Sequence, residues 1–208
     1  VAALVGAWSA RLGLHIAART RRAPHDPRYA ALMAQWGAQA RMRLFLFLQV
    51  QAAAGFVLVA AAMLAAQAPA PAGSPATLAL AALAAAAIFG EAKADAQLAA
   101  FRRLGDKGAV CDRGLWALSR HPNYFFEWLF WAALAAMALT GPGAFGWAAL
   151  AAPAMMYAVL RHGSGVPHLE AHLRRTRPDA FARYAESVPV FFPDLRRLID
   201  GWRRARGG

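Results

Sequence analysis

Five apolar stretches constrain this chain more than any other feature. They are Val1–Ala18, Leu44–Ala66, Ala76–Phe101, Tyr124–Leu139 and Phe145–Leu160. As helices, each is long enough or nearly so to cross about 30 Å of hydrocarbon. The last two are short, which tilt, snorkelling or local thinning absorbs. Hydrocarbon offers backbone groups no partner, so such segments must satisfy themselves as helices. The expected fold class is therefore all-α, a polytopic transmembrane helix bundle with five spans. Composition agrees: 16% of residues are charged, against about 25% in soluble domains. Alanine dominates the stretches, and small residues let helices approach closely. No internal repeat is visible, and Gln67–Pro75, QAPAPAGSP, reads as a stiff turn. Residues 1–208 thus read as one integral membrane domain.

The net charge of +12 would suit nucleic acid if it stood alone. Its distribution excludes that partner. The loops Arg19–Arg43 and Arg102–Arg120 hold six and five Lys/Arg, and the tail from Arg161 holds ten. The loops Gln67–Pro75 and Thr140–Gly146 hold none. Alternation of cationic and empty loops is the positive-inside pattern. It predicts a cytoplasmic C-terminus, with the lipid bilayer as partner. The chain opens at Val1 inside an apolar run, and two further helices upstream are expected. Cys111, the single cysteine, excludes an internal disulfide and reads as a reduced cytoplasmic thiol. Residues 194–208 form a basic tail in which Leu195, Leu198, Ile199 and Trp202 follow helical spacing. That predicts an amphipathic helix on an anionic leaflet.

Charged groups inside spans are costly, about 2.5–3.5 kcal/mol each on insertion scales, and mark function by default. Three sets occur. Trp8, Arg11, His15 and Arg19 share a face of the first stretch, where a snorkelling Arg and a packed His are an equal alternative. Glu91 and Asp95 share a face of the third, and Arg102 lies two turns beyond Asp95; solvation of an emerging helix would also explain these.

The third set is GLWALSRHPNYFFEWLFW, Gly114–Trp131. Arg120, Tyr124, Glu127 and Trp131 form one stripe, with Asn123 a turn before Glu127. Pro122 suits a first helical turn, so Ser119 or His121 is expected to cap it. A helix start with free N–H groups attracts anions, and Arg120 would add a fork for phosphate. An interfacial aromatic belt explains Trp116, Tyr124, Trp128 and Trp131 but leaves Asn123 and Glu127 without a reason. Further on, Gly163-Ser164-Gly165 followed by Pro167 predicts a tight turn, placing Glu170, Arg174, Arg177, Arg183 and Tyr184 on the cytoplasmic side. No metal is expected: His168 and His172 lack a supporting ligand motif. Walker A, GxGxxG and GxSxG patterns are absent.

The Gly114–Trp131 stretch, with ADAQLAAFRR before it and SGVPHLE and YAESVPVFFP after it, resembles the bacterial DUF1295 family. These are membrane relatives of steroid 5-alpha-reductases and sterol reductases. WSARLGLHIAARTRRAPHDPRYAALMAQWG resembles the same family's upstream segment, so nearly the whole chain is covered. The resemblance implies a seven-helix, NADPH-dependent reductase of a carbon–carbon double bond in a lipophilic enone, steroid or isoprenoid substrate. It implies that Asp95, Arg120, Asn123, Tyr124 and Glu127 hold NADPH, with Tyr184 and the SGVP turn, Ser164 and Gly165 to Pro167, closing the pocket and Glu170 a further cofactor-binding candidate. Arg102, Arg113, Arg120 and the helix start flanked by Ser119 and His121 suit the phosphates. The family's carbonyl-polarising acid has no clear counterpart here, and His15 and Tyr29 are the candidates left. The RHPxY motif and the late Tyr–Val–Pro ending also occur in isoprenylcysteine methyltransferases, which use S-adenosylmethionine. That activity, and a non-enzymatic lipid-binding role, stand as alternatives.

Overall fold

A computed structural model describes residues 1–22, 36–68, 73–105, 108–140 and 145–196, with backbone alone for 19–22. Among these residues all regular structure is helical and no strand occurs. The helices are α1 (Ala2–Arg22), α2 (Ala40–Ala66), α3 (Pro75–Arg103), α4 (Pro122–Ala138), α5 (Ala151–Arg161), α6 (Val166–Thr176) and α7 (Pro178–Ser187). Short 3-10 turns cover Gly37–Gln39, Gly114–Ala117 and Gly146–Leu150. Two compact units emerge: Val1–Leu78 with Leu134–Ala152, and Ala79–Ala133 with Pro153–Gly208.

Among the described residues, two helices are long and apolar enough to cross a membrane, Gly37–Ala66 and Pro75–Arg103. They coincide with the second and third expected stretches. Ala2–Ala18 is apolar but shorter, and α4 has 17 residues. The fifth expected stretch changes its winding part-way. Its first residues wind as a 3-10 turn, and a true helix of 11 residues begins only at Ala151. Pro153 supplies the reason: it lacks an N–H and is tolerated in a first turn, not in a helix interior.

In the first unit, α2 turns its large side chains outward: Phe45, Leu46, Val50, Phe56 and Val59 are exposed, while Ala61 and Ala65 are buried. This reverses the pattern of a water-soluble helix. The Gly146–Leu150 turn packs on α2. A side chain at Gly146 would collide with the carbonyl of Ala138. Trp8 and Arg11 are half-buried on α1, and His15 is exposed.

The second unit carries the polar chemistry. On α3 the buried face is Ala84, Ala87, Gly90, Glu91 and Ala94. This run of small residues admits close neighbours: a Cβ on Gly90 would fall within 2.6 Å of three ring atoms of Phe126 on α4. Helices α6 and α7 pack together around Phe181, Tyr184 and Val188, which join Val110 in one cluster. Cys111 is a buried free thiol; burial pushes its pKa up, so it stays protonated at neutral pH. Tyr29 and residues 197–208, most of the expected amphipathic tail, lie outside the described residues.

Candidate functional site

The turn before α4 is built from both sides. Gly114 takes φ +60°, and Gln97 packs where its Cβ would be. Gln97 then accepts a hydrogen bond from the Leu115 N–H at 3.0 Å. Trp116 is buried and gives its indole N–H to the Ala94 carbonyl at 2.9 Å. The Tyr184 hydroxyl donates to the Trp116 carbonyl at 2.6 Å. Trp116 is therefore a bolt between turn and α3 rather than part of an interfacial belt. Burial pushes the Tyr184 pKa up, keeping the hydroxyl a donor.

Residues 118–121 are laced to residues 188–194. Arg120 N–H donates to Pro189 O at 2.8 Å and Asp194 N–H to Leu118 O at 2.9 Å. The Ser119 hydroxyl donates to Phe191 O at 2.8 Å and accepts the His121 N–H at 3.2 Å. Ser119 thus ties two segments together instead of presenting itself to a ligand.

Arg120 departs most from its expected role. Its Nε donates to Glu170 Oε1 at 2.9 Å, and Nη1 donates to Ala185 O and Val188 O at 2.8 and 2.9 Å. Its side chain is 9% exposed. Through Nε and Nη1 Arg120 is a structural cross-link, a role that its expected part in phosphate binding did not include. Glu170 is similarly enclosed, at 4% exposure, by Arg120, by His121 Nε2 at 3.4 Å and by Arg174 at 2.9 Å. Burial alone would raise its pKa. The hydrogen bond from His121 and the charge of Arg120 outweigh it, so the carboxyl sits below its ordinary value. Phe181 lies under both guanidinium groups, 5.9 Å from Arg120 Cζ and 5.4 Å from Arg174 Cζ.

His121 stacks on Tyr124 with ring centroids 5.5 Å apart and planes 9° from parallel. Its Nδ1 is buried and has no hydrogen-bond partner. Two residues on, Asn123 donates from Nδ2 to Asp95 Oδ1 at 3.2 Å, and its own Oδ1 is buried without a partner. One turn further, Glu127 is buried and accepts the Trp131 indole N–H at 2.9 Å. Trp131, which the belt alternative would put at the interface, is 2% exposed and is one donor that helps make a buried Glu127 tolerable.

The same unit holds a cavity of about 840 Å³, whose lining includes none of Asp95, His121, Asn123, Tyr124 or Glu127. That is within the range of small-molecule sites, about 300–1,000 Å³. Arg113, Arg183, Asp112, Tyr184 and Ser187 give it polarity, and Phe101 and Val110 are among its apolar walls. Ala117 and Tyr184 line it too, so the bolted turn forms part of its wall.

The profile of DUF1295, described as a protein of unknown function, matches residues 1–188. The chain belongs to the DUF1295 family. No curated protein and no solved structure matches it. Within this DUF1295 chain, the expected residues divide into groups. Asp95 and Asn123 pair directly. Arg120, His121 and Glu170 form a buried hub, with Ser119 beside it. Arg113 and Tyr184 line the cavity, but Arg102 is exposed at the end of α3 and does not line it. Ser164 is exposed; Gly165 is buried at a turn where a Cβ would collide with Leu160 O. These two residues shape the α5–α6 corner and make no approach to the cavity lining. Gln97, Asp112, Arg183 and Ser187 were not among the expected site residues. Gln97 sits two residues after Asp95, and only the positive φ of Gly114, seventeen positions away, explains it.

Proposed function

We propose that this DUF1295 chain is a membrane-embedded, NADPH-dependent reductase of a carbon–carbon double bond in a lipophilic substrate. The observation that carries the reading is the Asp95–Asn123 pair with Asn123 Oδ1 buried and unpartnered. A buried carbonyl oxygen left without a donor costs about 1–3 kcal/mol, and that cost is removed when a ligand supplies an N–H or O–H. A nicotinamide carboxamide and ribose hydroxyls are donors of that kind. The His121 Nδ1, also buried and without a partner, adds a second polar atom of the same turn. Arg113 and Arg183, which line the cavity of the same unit, suit the cofactor's phosphates; Arg120 gives Nε to Glu170 and Nη1 to two carbonyls.

NADPH, when bound, supplies a hydride to the substrate. The chain's own residues do the holding. Asp95 fixes the Asn123 amide so that its oxygen stays available. Glu170 fixes Arg120 and His121, and through them the chain entering α4. Tyr184, through Trp116, keeps the Gly114–Ala117 turn against α3. The outward apolar faces of α2 and α3 fit a bilayer setting, where a lipid-like substrate reaches the protein laterally. The loop charges favour a bacterial inner membrane with the cavity and C-terminus facing the cytoplasm, where NADPH resides.

The test is a thermal-stability titration of the full chain in detergent with NADPH, NADH and S-adenosylmethionine. A ligand at about 100 times its Kd stabilises by roughly 2.7 kcal/mol. NADPH is expected to stabilise. Stabilisation by S-adenosylmethionine alone would transfer the assignment to methyl transfer, and no response to any of the three would leave a lipid-binding role.

A further inference from the structure

The cavity of the second unit has a charge pattern of its own. Two guanidinium groups from separate segments line it, Arg113 from the turn before α4 and Arg183 from α7. Among the described lining residues Asp112 is the one carboxylate. Arg113 and Arg183 are both exposed, so an anion arriving from water can reach them. Phe101 and Val110 give the same cavity apolar wall, and Ser187 adds a hydroxyl.

Tyr184 connects this lining to the Asn123 turn. Its hydroxyl donates to Trp116 O, and the Trp116 indole donates to Ala94 O. Ala94 precedes Asp95, the partner of Asn123. Yet neither Asp95 nor Asn123 lines the cavity. A ligand serving both places is therefore extended, with hydrogen-bond donors at one end and an anionic group at the other. A nicotinamide dinucleotide has that form. Asp112 and the arginines then compete over its adenosine ribose. A carboxylate favours a free 2′-hydroxyl, as in NADH, whereas an arginine accommodates a 2′-phosphate. A phosphate monoester carries a charge of about −1.5 to −2 near neutral pH, and a guanidinium meets it with paired N–H···O bonds. Two such groups outweigh one carboxylate.

We propose that the cavity takes the adenosine end of the dinucleotide, and that Arg113 and Arg183 hold its 2′-phosphate and so select NADPH over NADH. This assignment rests on the reductase reading above and adds which residues choose the cofactor. Phe101 and Val110 then offer the adenine an apolar wall.

The test uses the full chain in a non-ionic detergent and reads binding rather than turnover. Calorimetric titration gives Kd for NADPH, NADH, adenosine 2′,5′-bisphosphate and adenosine 5′-monophosphate. The unaltered chain is expected to bind NADPH roughly tenfold or more tighter than NADH, and the bisphosphate tighter than the monophosphate by a similar factor. Arg113→Gln and Arg183→Gln are each expected to weaken NADPH binding roughly tenfold while NADH binding changes little. Arg183→Lys is expected to keep part of the preference, because the charge stays and the fork is lost. Arg175→Gln removes the same charge at an exposed arginine outside the lining, and the ratio is expected to hold. Equal affinity of the unaltered chain for NADPH and NADH would overturn the proposal, as would equal affinity for the two adenosine phosphates. So would an unchanged ratio in both Arg113→Gln and Arg183→Gln, or an equal narrowing by Arg175→Gln. Each of those results leaves NADPH binding, and with it the reductase reading, in place. Failure of both dinucleotides to bind would remove the reading and the proposal together.

Discussion

Asn123 gives its amide N–H to Asp95 across 3.2 Å and keeps its carbonyl oxygen buried and unpartnered. The pair joins α4 to α3 and leaves an acceptor poised for a donor from outside the chain. Asn123→Ala removes that acceptor. NADPH affinity is expected to fall about tenfold, near 1.4 kcal/mol, with the thermal midpoint of the free protein little changed. Calorimetric titration measures the first and differential scanning fluorimetry the second; unaltered NADPH affinity would remove Asn123 from the site.

Glu170 holds the buried Arg120 guanidinium and His121 imidazole, and also the exposed guanidinium of Arg174. Glu170→Ala leaves Arg120 as a buried charge with only carbonyl partners. Loss of one partner of a buried pair typically costs about 3–5 kcal/mol. A large drop in thermal midpoint is expected, and Arg120→Lys should also destabilise because an ammonium cannot span Glu170 and two carbonyls as a planar fork does. A surface-like loss below about 0.5 kcal/mol for Glu170→Ala would contradict the hub.

The same carboxyl sets an acid limit. Its folded pKa lies below the ordinary 4.5 because His121 and Arg120 outweigh burial. The unfolded chain therefore takes up this proton first. Glu170's contribution to stability is complete above pH about 4.5 and is lost as pH falls through the lower folded value. Tyr184 works in the opposite direction. Its folded pKa is raised above 10.0 by burial, so its contribution is present below that pH and is lost as the medium becomes more alkaline. Thermal midpoints across pH are expected to show both limbs, with Glu170→Gln flattening the acid limb and Tyr184→Phe the alkaline one.

Gly90 and Phe126 give a packing test. Gly90→Ala puts a methyl within 2.6 Å of the Phe126 ring. Overpacking of this kind costs about 1–3 kcal/mol. Phe126→Ala is destabilising too, yet the double substitution is expected to cost less than the two single losses added, because the clash disappears with the ring. Strict additivity in a thermal double-mutant cycle would deny the contact.

The apolar runs marked α2 and α3, and Pro122 marked the start of α4 to the residue. Such features are legible because they follow from local hydrophobicity and from the missing N–H of proline. The alternative of an aromatic belt fails for Trp116 and Trp131, whose N–H groups meet protein acceptors; a Trp next to a membrane segment has the same sequence signature in either case. The fifth stretch winds as a 3-10 turn that leads directly into an 11-residue helix, a change that uniform apolar character does not reveal.

The sequence by itself determined an all-helical chain of the DUF1295 family and singled out the polar residues around Asn123. Only the tertiary structure decided what each of them does. Arg120 became a cross-link because carbonyls 65 and 68 residues away fall within its reach. Glu170 became its counter-ion from 50 residues away. Helical periodicity fixes which side chains share a face, but a hydrogen bond depends on a few tenths of an ångström between segments distant in the chain. That distance is set by packing, including the absent side chain of Gly90, and no local pattern encodes it.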